Sequence, residues 1–186
     1  MSSEPVFIVR YWGITGTLSD PLRPAQVTDK LVRALEHLAA AGRLGDLVPG
    51  PGLHQAAERA VATLPFELRS TFGGHTTCVE LRTPDALIVL DCGSGFRELG
   101  IALEQEWNAP DSRSDRTAYV LVTHPHVDHT LSTPFFGPYF DPRNSFILWG
   151  TRAVLDSLEA VLNPQSALSK TYFPPTFDMM TAIKDK

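Results

Sequence analysis

The chain has 186 residues, of which 43% are hydrophobic and 20% are charged, so it can form one globular core with an appended lobe. Its formal net charge of −5 provides no general attraction to nucleic-acid phosphates or anionic membranes. The sequence contains neither a signal peptide nor a run of about 20 apolar residues, the length that a membrane helix requires. We therefore predict a cytoplasmic protein that has no membrane partner.

The first third of the chain reads as one strand followed by two helices. Residues 5–13 (PVFIVRYWG) are predicted to form the strand, because apolar residues run up to a glycine. The first helix is predicted to begin near Thr28, which can cap it, and to end at Gly42. A second helix is predicted over residues 53–64 and must stop before the proline that follows.

These helices lie in residues 18–69, which we interpret as a helical insertion within a single domain that spans residues 1–186. Leu31, Leu35 and Leu38 recur at helical spacing, and we expect this stripe to pack on the second helix. We hypothesise that the insertion forms a lid or a substrate-selecting lobe. A plain surface decoration is the alternative.

The remainder of the chain alternates strands and helices. The predicted elements are strands at residues 75–83 and 86–93, a helix at 96–107, strands at 117–124 and 145–150, and a helix from 151 to 163. Pro84 and Asp85 favour a turn, so the first two of these strands are predicted to form a hairpin. The alternation that follows predicts a layered α/β architecture.

Four side chains able to bind a metal follow the strand at residues 117–124. They are His124, His126, Asp128 and His129. Desolvating them together is costly without a partner, and a divalent metal ion is such a partner. The spacing lets the first two converge on one ion and directs the last two to a neighbouring position. Imidazole and carboxylate together suit zinc, manganese or iron.

The other histidines and the cysteines give weaker indications of a functional site. His37 and His54 lie on predicted helices far from other ligand types, so we interpret them as surface or hydrogen-bonded residues. Cys78 and Cys92 lie in or beside strands and are predicted to be small buried thiols without a metal or redox role.

The segment THPHVDH resembles the His-x-His-x-Asp-His signature of the metallo-β-lactamase superfamily. The segments RYWGITGT, FGGHTTCVELRT, LIVLDCGSGFRELG and PFFGPYFDPRNSFILWG are similar to successive blocks of a bacterial, phosphodiesterase-like branch of it. The resemblance implies an α/β fold, a metallo-β-lactamase-like αββα sandwich. It also implies that the sandwich is incomplete here. The chain would contain the N-terminal half of the sandwich and the helical insertion, as expected for a chain truncated at its carboxyl end.

The resemblance further implies two Zn²⁺ sites in a full-length protein, with Mn²⁺ or Fe²⁺ as alternatives. It assigns His124 and His126 to one metal, and it assigns Asp128 and His129 to the other. Asp128 is in addition the expected catalytic residue. No histidine follows His129, so the ligands that relatives take from the second half of the sandwich would have to come from a lost segment or a partner chain.

Two further positions are interpreted through the resemblance. Asp91 matches an acidic residue that ends an early strand and supports the ligands by hydrogen bonding, although an Asx turn into the Gly93 loop is an equal alternative. His75 replaces the asparagine of the family pattern, and it is either a plain loop residue or an extra polar group near the site.

The implied activity is hydrolysis by a hydroxide that two metal ions hold. We favour a phosphodiesterase acting on a small-molecule or nucleotide substrate, such as a cyclic nucleotide or an RNA-type phosphodiester. A carbonyl-directed hydrolase of thioesters, lactones or lactams on the same core is the first alternative. The second alternative is a catalytically incomplete fragment that acts as a binding module, and a homodimer remains open as a way to supply the missing ligands.

Overall fold

The computed structural model describes residues 7–71, 74–110, 112, 115–166 and 175–186. Two compact units are present. The larger comprises the described residues of Met1–Asp20 and His75–Lys186, and the smaller comprises those of Pro21–Gly74. None of the helices in the described part of the chain combines the length and the apolar character needed to cross a bilayer.

A six-stranded sheet forms the centre of the larger unit. Its strands are β1 (Ile8–Gly13), β2 (Cys78–Arg82), β3 (Leu87–Leu90), β4 (Thr117–Leu121), β5 (Ser145–Trp149) and β6 (Ile183–Asp185), and their order in the sheet is their order in the chain. The first three strands pair antiparallel, and the last four pair parallel. The hairpin predicted from the Pro84–Asp85 turn is therefore confirmed as β2 and β3.

The parallel strands are connected through helical segments. The helices of this unit are α4 (Gly95–Trp107), α5 (Val127–Thr130) and α6 (Arg152–Leu162), with 3-10 turns at Thr133–Phe135, Gly137–Phe140 and Phe177–Met179. The Thr151 hydroxyl caps α6 by accepting a hydrogen bond from the Val154 amide at 3.4 Å. The boundaries of α4 and α6 agree with the prediction to within about one residue.

One face of the sheet carries the hydrophobic core. Side chains alternate along the strands, so Cys78, Val89, Val120 and Phe146 all point into this core and are fully buried. The core also takes Phe96, Leu99 and Leu103 from α4 and Val154, Leu158 and Leu162 from α6. Cys78 and Cys92 are free, buried thiols, as predicted.

The opposite face of the sheet is apolar but far more exposed. Tyr11 is 71% exposed and Trp149 is 58% exposed, at the two sides of this face. The strand register forms a row of neighbouring residues across this face. The row runs from Tyr11 on β1 through Val79, Leu90 and Leu121 to Trp149 on β5. In an αββα sandwich a second sheet covers such a face. The described residues form one sheet with its helices, which is one half of that architecture.

The smaller unit is entirely helical in its described part. It contains α1 (Pro24–Ala40), a 3-10 turn at Leu44–Asp46, α2 (Leu53–Ala62) and α3 (Phe66–Arg69). The prediction that Thr28 starts the first helix is wrong, because α1 begins four residues earlier at Pro24. Proline is favourable in a first helical turn, and the Gln26 side chain accepts a hydrogen bond from the Arg23 amide at 2.8 Å. Thr28 instead donates to the Pro24 carbonyl.

The core of the smaller unit is narrow. Leu38, Ala60 and Leu64 are buried together, whereas Leu31 is 62% exposed and Leu35 is 56% exposed. The predicted packing of the whole leucine stripe is therefore wrong for these two residues. The inward positions of α1 are Ala34 and Leu38, which lie one helical turn apart. The lid role of the insertion stays a prediction.

Candidate metal centre

The predicted ligands lie at the carboxyl edge of the parallel strands. β3 and β4 are paired neighbours, with Leu90 opposite Leu121, so the residues that follow both strands meet at one edge. The Asp91 amide continues the ladder by donating to the Leu121 carbonyl at 2.8 Å. The chain after β4 then runs through His124 into α5, which carries Asp128.

Asp91 is the centre of the hydrogen-bond network at this edge. It has a left-handed backbone, with φ of 65°, and is 3% exposed. Its Oδ1 accepts from the Thr123 amide at 2.8 Å and from the Thr123 hydroxyl at 2.9 Å. Its Oδ2 lies 2.8 Å from Nδ1 of His129. The carboxylate thus connects the loop that follows β4 to α5. It faces the predicted ligands.

This network fixes the role of Nδ1 in two histidines. A carboxylate only accepts, so His129 donates from Nδ1 to Asp91, which leaves Nε2 as the atom that can bind a cation when the ring is neutral. The Thr123 hydroxyl gives its single proton to Asp91 and therefore accepts from Nδ1 of His124 at 2.9 Å. In the neutral state both imidazoles would consequently present on Nε2 the lone pair that a metal ion binds.

The four predicted ligands lie close to one another. The ring centroids of His124 and His126 are 4.6 Å apart, and those of His124 and His129 are 4.0 Å apart. Nε2 of His129 is 3.5 Å from Oδ2 of Asp128. The structure therefore brings all four side chains into one cluster.

Asp128 is fixed by a residue from the loop after β1. The Thr17 amide donates to Oδ2 of Asp128 at 2.8 Å, from a left-handed backbone with φ of 68°. This hydrogen bond, followed by that of Asp128's own amide and by the neighbouring His129 and His126, holds the pKa of the Asp128 carboxyl below its usual range. The side chain is therefore an anion at neutral pH, which is the form that binds a cation.

The loop after β3 supports α5 through close backbone contacts. The Cys92 amide donates to the His129 carbonyl at 2.7 Å, and the Ser132 amide donates to the Cys92 carbonyl at 3.0 Å. A Cβ on Gly93 would lie 2.3 Å from the Asp128 carbonyl oxygen and 2.5 Å from the hydroxyl of Thr76. Only glycine allows this approach, so the position of the ligands depends on it. The Asx turn considered for Asp91 is replaced by these tertiary contacts.

His75 lies in a loop among hydroxyl groups. Its Nδ1 is 3.2 Å from the Ser94 hydroxyl, which also accepts from the Thr76 amide at 2.9 Å and lies 2.9 Å from the Ser19 hydroxyl. Sequence reasoning left open whether His75 is a loop residue or a polar group near the site. The structure places it in a polar loop cluster whose Ser94 adjoins Gly93 in the chain.

The donors suit a divalent ion, but they do not complete a coordination sphere. Imidazole Nε2 atoms and an ionised carboxylate are ligands for zinc and similar ions. Within the described residues, no group of three His, Cys, Asp or Glu side chains is arranged to hold one ion. The assignment of the four side chains to two ligand pairs therefore stays a prediction, and an ion held by either pair would need about two more ligands to reach four.

Sequence reasoning missed two supporting residues. Thr123 precedes the first histidine of the motif and could have been suspected from that position alone. Thr17 acts through its backbone amide, and every residue except proline has such an amide, so the residue type does not indicate this role. Of the remaining histidines, His37 and His54 are exposed, as predicted, and His54 lies 3.4 Å from the Glu58 carboxylate.

Comparison with known families identifies the superfamily of the chain. A model of the beta-lactamase superfamily domain matches residues 87–184, which is more than half of the chain. The chain belongs to the beta-lactamase superfamily. The match begins at β3 and therefore includes Asp91 and the whole ligand cluster. Membership indicates a hydrolase, in a superfamily whose members commonly bind metals. Neither curated proteins nor solved structures give a match.

Proposed function

We propose that this member of the beta-lactamase superfamily is a metal-dependent phosphodiesterase that acts on small-molecule or nucleotide phosphodiesters. The observation that carries the proposal is the Asp91 network, which holds Nδ1 of His129 directly and Nδ1 of His124 through the Thr123 hydroxyl. A buried carboxylate that fixes imidazole tautomers is typical of metal centres.

The protein's own groups would hold the ion and shape the charge around it. His124 and His126 form one ligand pair, and Asp128 and His129 form the other. A divalent ion bound by such groups lowers the pKa of a water ligand and neutralises charge that develops on a phosphoryl oxygen. Zn²⁺ suits the donors, with Mn²⁺ or Fe²⁺ as alternatives.

Asp128 is the residue to which we assign a catalytic role. Its carboxylate is ionised, accepts from the Thr17 amide and lies beside His129. An ionised carboxylate at this place can accept a hydrogen bond from an attacking water and orient it. Phosphodiester hydrolysis is preferred because adjacent ligand pairs match an in-line displacement, in which the attacking and the leaving oxygen both need stabilisation.

The first experiment measures metal content and hydrolysis in the same preparation. The purified chain is loaded with Zn²⁺, dialysed, analysed for metal and assayed with bis-para-nitrophenyl phosphate. We expect fewer than two equivalents of zinc per chain, because the described cluster supplies only four side-chain ligands. Two tightly bound ions in a monomer of known mass would contradict this count, so the mass in solution is measured in parallel to detect a homodimer.

Parallel substrates separate the proposal from its alternatives. An acyl thioester and a lactone are assayed beside the phosphodiester under identical metal loading. Hydrolysis of the carbonyl substrates alone would reject the phosphodiesterase in favour of the carbonyl-directed hydrolase. Zinc binding without hydrolysis of any of the three would favour a binding module.

A further inference from the structure

The face of the sheet opposite to the hydrophobic core carries two uncharged rows of side chains. One is the row from Tyr11 to Trp149, and the neighbouring row is Val9, Leu81, Ile88, Tyr119 and Ile147. From β2 to β5, buried residues alternate with half-buried or exposed ones, so both rows point away from the core. The two rows together are termed the outer face. An apolar surface of this extent marks an interaction site.

The area of this face is sufficient for a specific interface between two copies of the chain. Strands lie about 4.8 Å apart, so β1 to β5 span about 24 Å. Phe7, Thr117 and Ser145 extend the outer face by one more row, because each lies two residues before a member of the second row. Three rows extend about 20 Å along the strands, so one copy presents roughly 500 Å². Two such faces in contact bury roughly 1,000 Å², the lower limit for a specific interface.

The outer face is complementary to a second copy of itself. A twofold axis that runs parallel to the strands, between two such faces, reverses the order of the strands, so β1 of one copy lies over β5 of the other. The first row then packs on itself in the opposite sense, so that Tyr11 meets Trp149 of the second copy and Leu90 meets its own equivalent. Aromatic side chains meet at both ends and aliphatic ones in the middle, and no charge within the rows loses its water.

The β5 side of the outer face contains a hollow that suits the Tyr11 side chain. Its volume is about 360 Å³, and its lining includes Tyr119, Ile147 and Trp149 of the outer face. A cavity of about 150 Å³ is enough for benzene, so a phenol ring fits. Tyr11 is 71% exposed, and the Asp185 carboxylate, which also lines the hollow, can accept a hydrogen bond from its hydroxyl. An aromatic side chain that enters a pocket of the partner is the usual anchor of an interface.

We propose that the outer face binds a second copy of this chain in a twofold dimer, in which the Tyr11 side chain of each copy enters the hollow beside Trp149 of the other. The second copy then supplies the sheet that packs on this face. The inference does not depend on the proposed phosphodiesterase activity, because it rests on the strand register, the area and the hollow. Tyr11 and Trp149 are the most exposed side chains of the two rows, so they should contribute most of the binding energy.

The first measurement is the mass of the full chain in solution. Sedimentation equilibrium is performed with a chelator in the buffer, so that a shared metal ion cannot produce a dimer. We expect a monomer–dimer equilibrium with a Kd in the micromolar range, because the interface lies at the small end of specific interfaces. A monomer at about 200 µM would overturn the proposal and leave the outer face to a different occupant. Masses that keep increasing beyond the dimer would overturn the closed twofold arrangement.

Charge substitutions test which residues meet. Tyr11→Lys and Trp149→Glu should each weaken dimerisation at least about tenfold, because the affected pair occurs twice in the dimer. Leu31→Lys, at a 62% exposed position in the smaller unit, is the matched control and should keep the wild-type Kd. An equimolar mixture of Tyr11→Lys and Trp149→Glu should dimerise more tightly than either variant alone, because the mixed dimer has one lysine–glutamate pair and one unchanged pair. A mixture of Tyr11→Lys and Tyr11→Glu should gain nothing, and recovery in that mixture would overturn the proposed axis.

Cross-linking gives a second measurement that does not require the charged variants to fold. Chains with Tyr11→Cys are mixed with chains that carry Trp149→Cys and are treated with a short bis-maleimide. The native thiols, Cys78 and Cys92, are buried and should not react in the folded protein. The mixture should give a covalent dimer that joins one chain of each kind, and neither variant alone should give one. Equal cross-linking of each variant with itself would overturn the assigned pairing.

Discussion

Asp91→Asn is the substitution that tests the candidate metal centre most directly. Asparagine has nearly the same shape as aspartate and tolerates the left-handed backbone at this position, where φ is 65°. The backbone should therefore be undisturbed. The substitution changes the group that faces Nδ1 of His129. The carboxylate oxygen accepts a hydrogen bond there, whereas the amide nitrogen of asparagine donates one.

The change reverses the tautomer that the metal requires. If the side-chain oxygen of the new asparagine keeps the bonds to Thr123, its amide nitrogen faces His129 and donates to Nδ1. The imidazole proton then moves to Nε2, so the lone pair for a metal ion is lost. Replacing a group that orients a ligand typically lowers metal affinity about 10- to 100-fold, which is about 1.4–2.8 kcal/mol.

A separate loss is expected in folding stability. Hydrogen bonds to a charged group contribute about 1.5–3 kcal/mol each, and the bond to His129 is the one that the amide replaces with a weaker neutral bond. A neutral hydrogen bond contributes about 1 kcal/mol, so we expect the free energy of unfolding of the metal-free protein to fall by about 1 kcal/mol. Denaturant titration in the presence of a chelator measures this directly.

The assay is competition for Zn²⁺ with a chromophoric chelator at a pH of about 7.5, where unperturbed histidines are mostly neutral. Asp85→Asn is the matched control, because Asp85 is exposed in the β2–β3 turn and its substitution removes the same charge. The control should keep wild-type zinc affinity. Wild-type affinity in Asp91→Asn would refute the tautomer argument, and an absence of zinc binding by the wild type would refute the metal assignment.

Three further outcomes follow from the same contacts. Replacing both His124 and His126 with alanine should abolish bound zinc in metal analysis, whereas Cys92→Ser should retain it; zinc in the double variant would reject the ligand assignment. Gly93→Ala should lower stability by about 1–3 kcal/mol in denaturant titration, because its Cβ meets backbone at 2.3 Å, whereas Gly45→Ala has no atom within 4 Å and should be near neutral. Burial raises the pKa of the Cys92 thiol well above its ordinary value, so a disulfide reagent should modify it at a pH of about 8 only after unfolding.

The elements with regular periodicity could be predicted from the sequence. The helical patterns in residues 96–107 and 151–163 locate α4 and α6, and the turn pair at residues 84–85 locates the β2–β3 hairpin. The predicted start of α1 is wrong because a proline in the first turn outweighs a threonine further along. β6 was missed because three residues are too few for a periodic signal.

The candidate site divides into a local part and a tertiary part. The motif of histidines and aspartate is local, so its six residues carry the whole signal. The hydrogen bond from the Thr17 amide to Asp128 joins residues 111 positions apart. It depends on a left-handed backbone at Thr17, which the residue type does not predict.

The short length of α5 explains why the site depends on so many distant contacts. A helix of four residues does not form by itself, since helix nucleation is unfavourable and isolated helices need about 12–15 residues. Two hydrogen bonds fix its orientation: the Cys92 amide donates to the His129 carbonyl, and the Thr17 amide donates to the Asp128 carboxylate. The close approach of Gly93 to the Asp128 carbonyl is the third contact. These contacts come from the loops after β1 and β3, so the ligands acquire their positions only when the sheet has formed. We therefore expect metal affinity and the stability of the larger unit to be coupled, because a substitution that loosens either loop should weaken both.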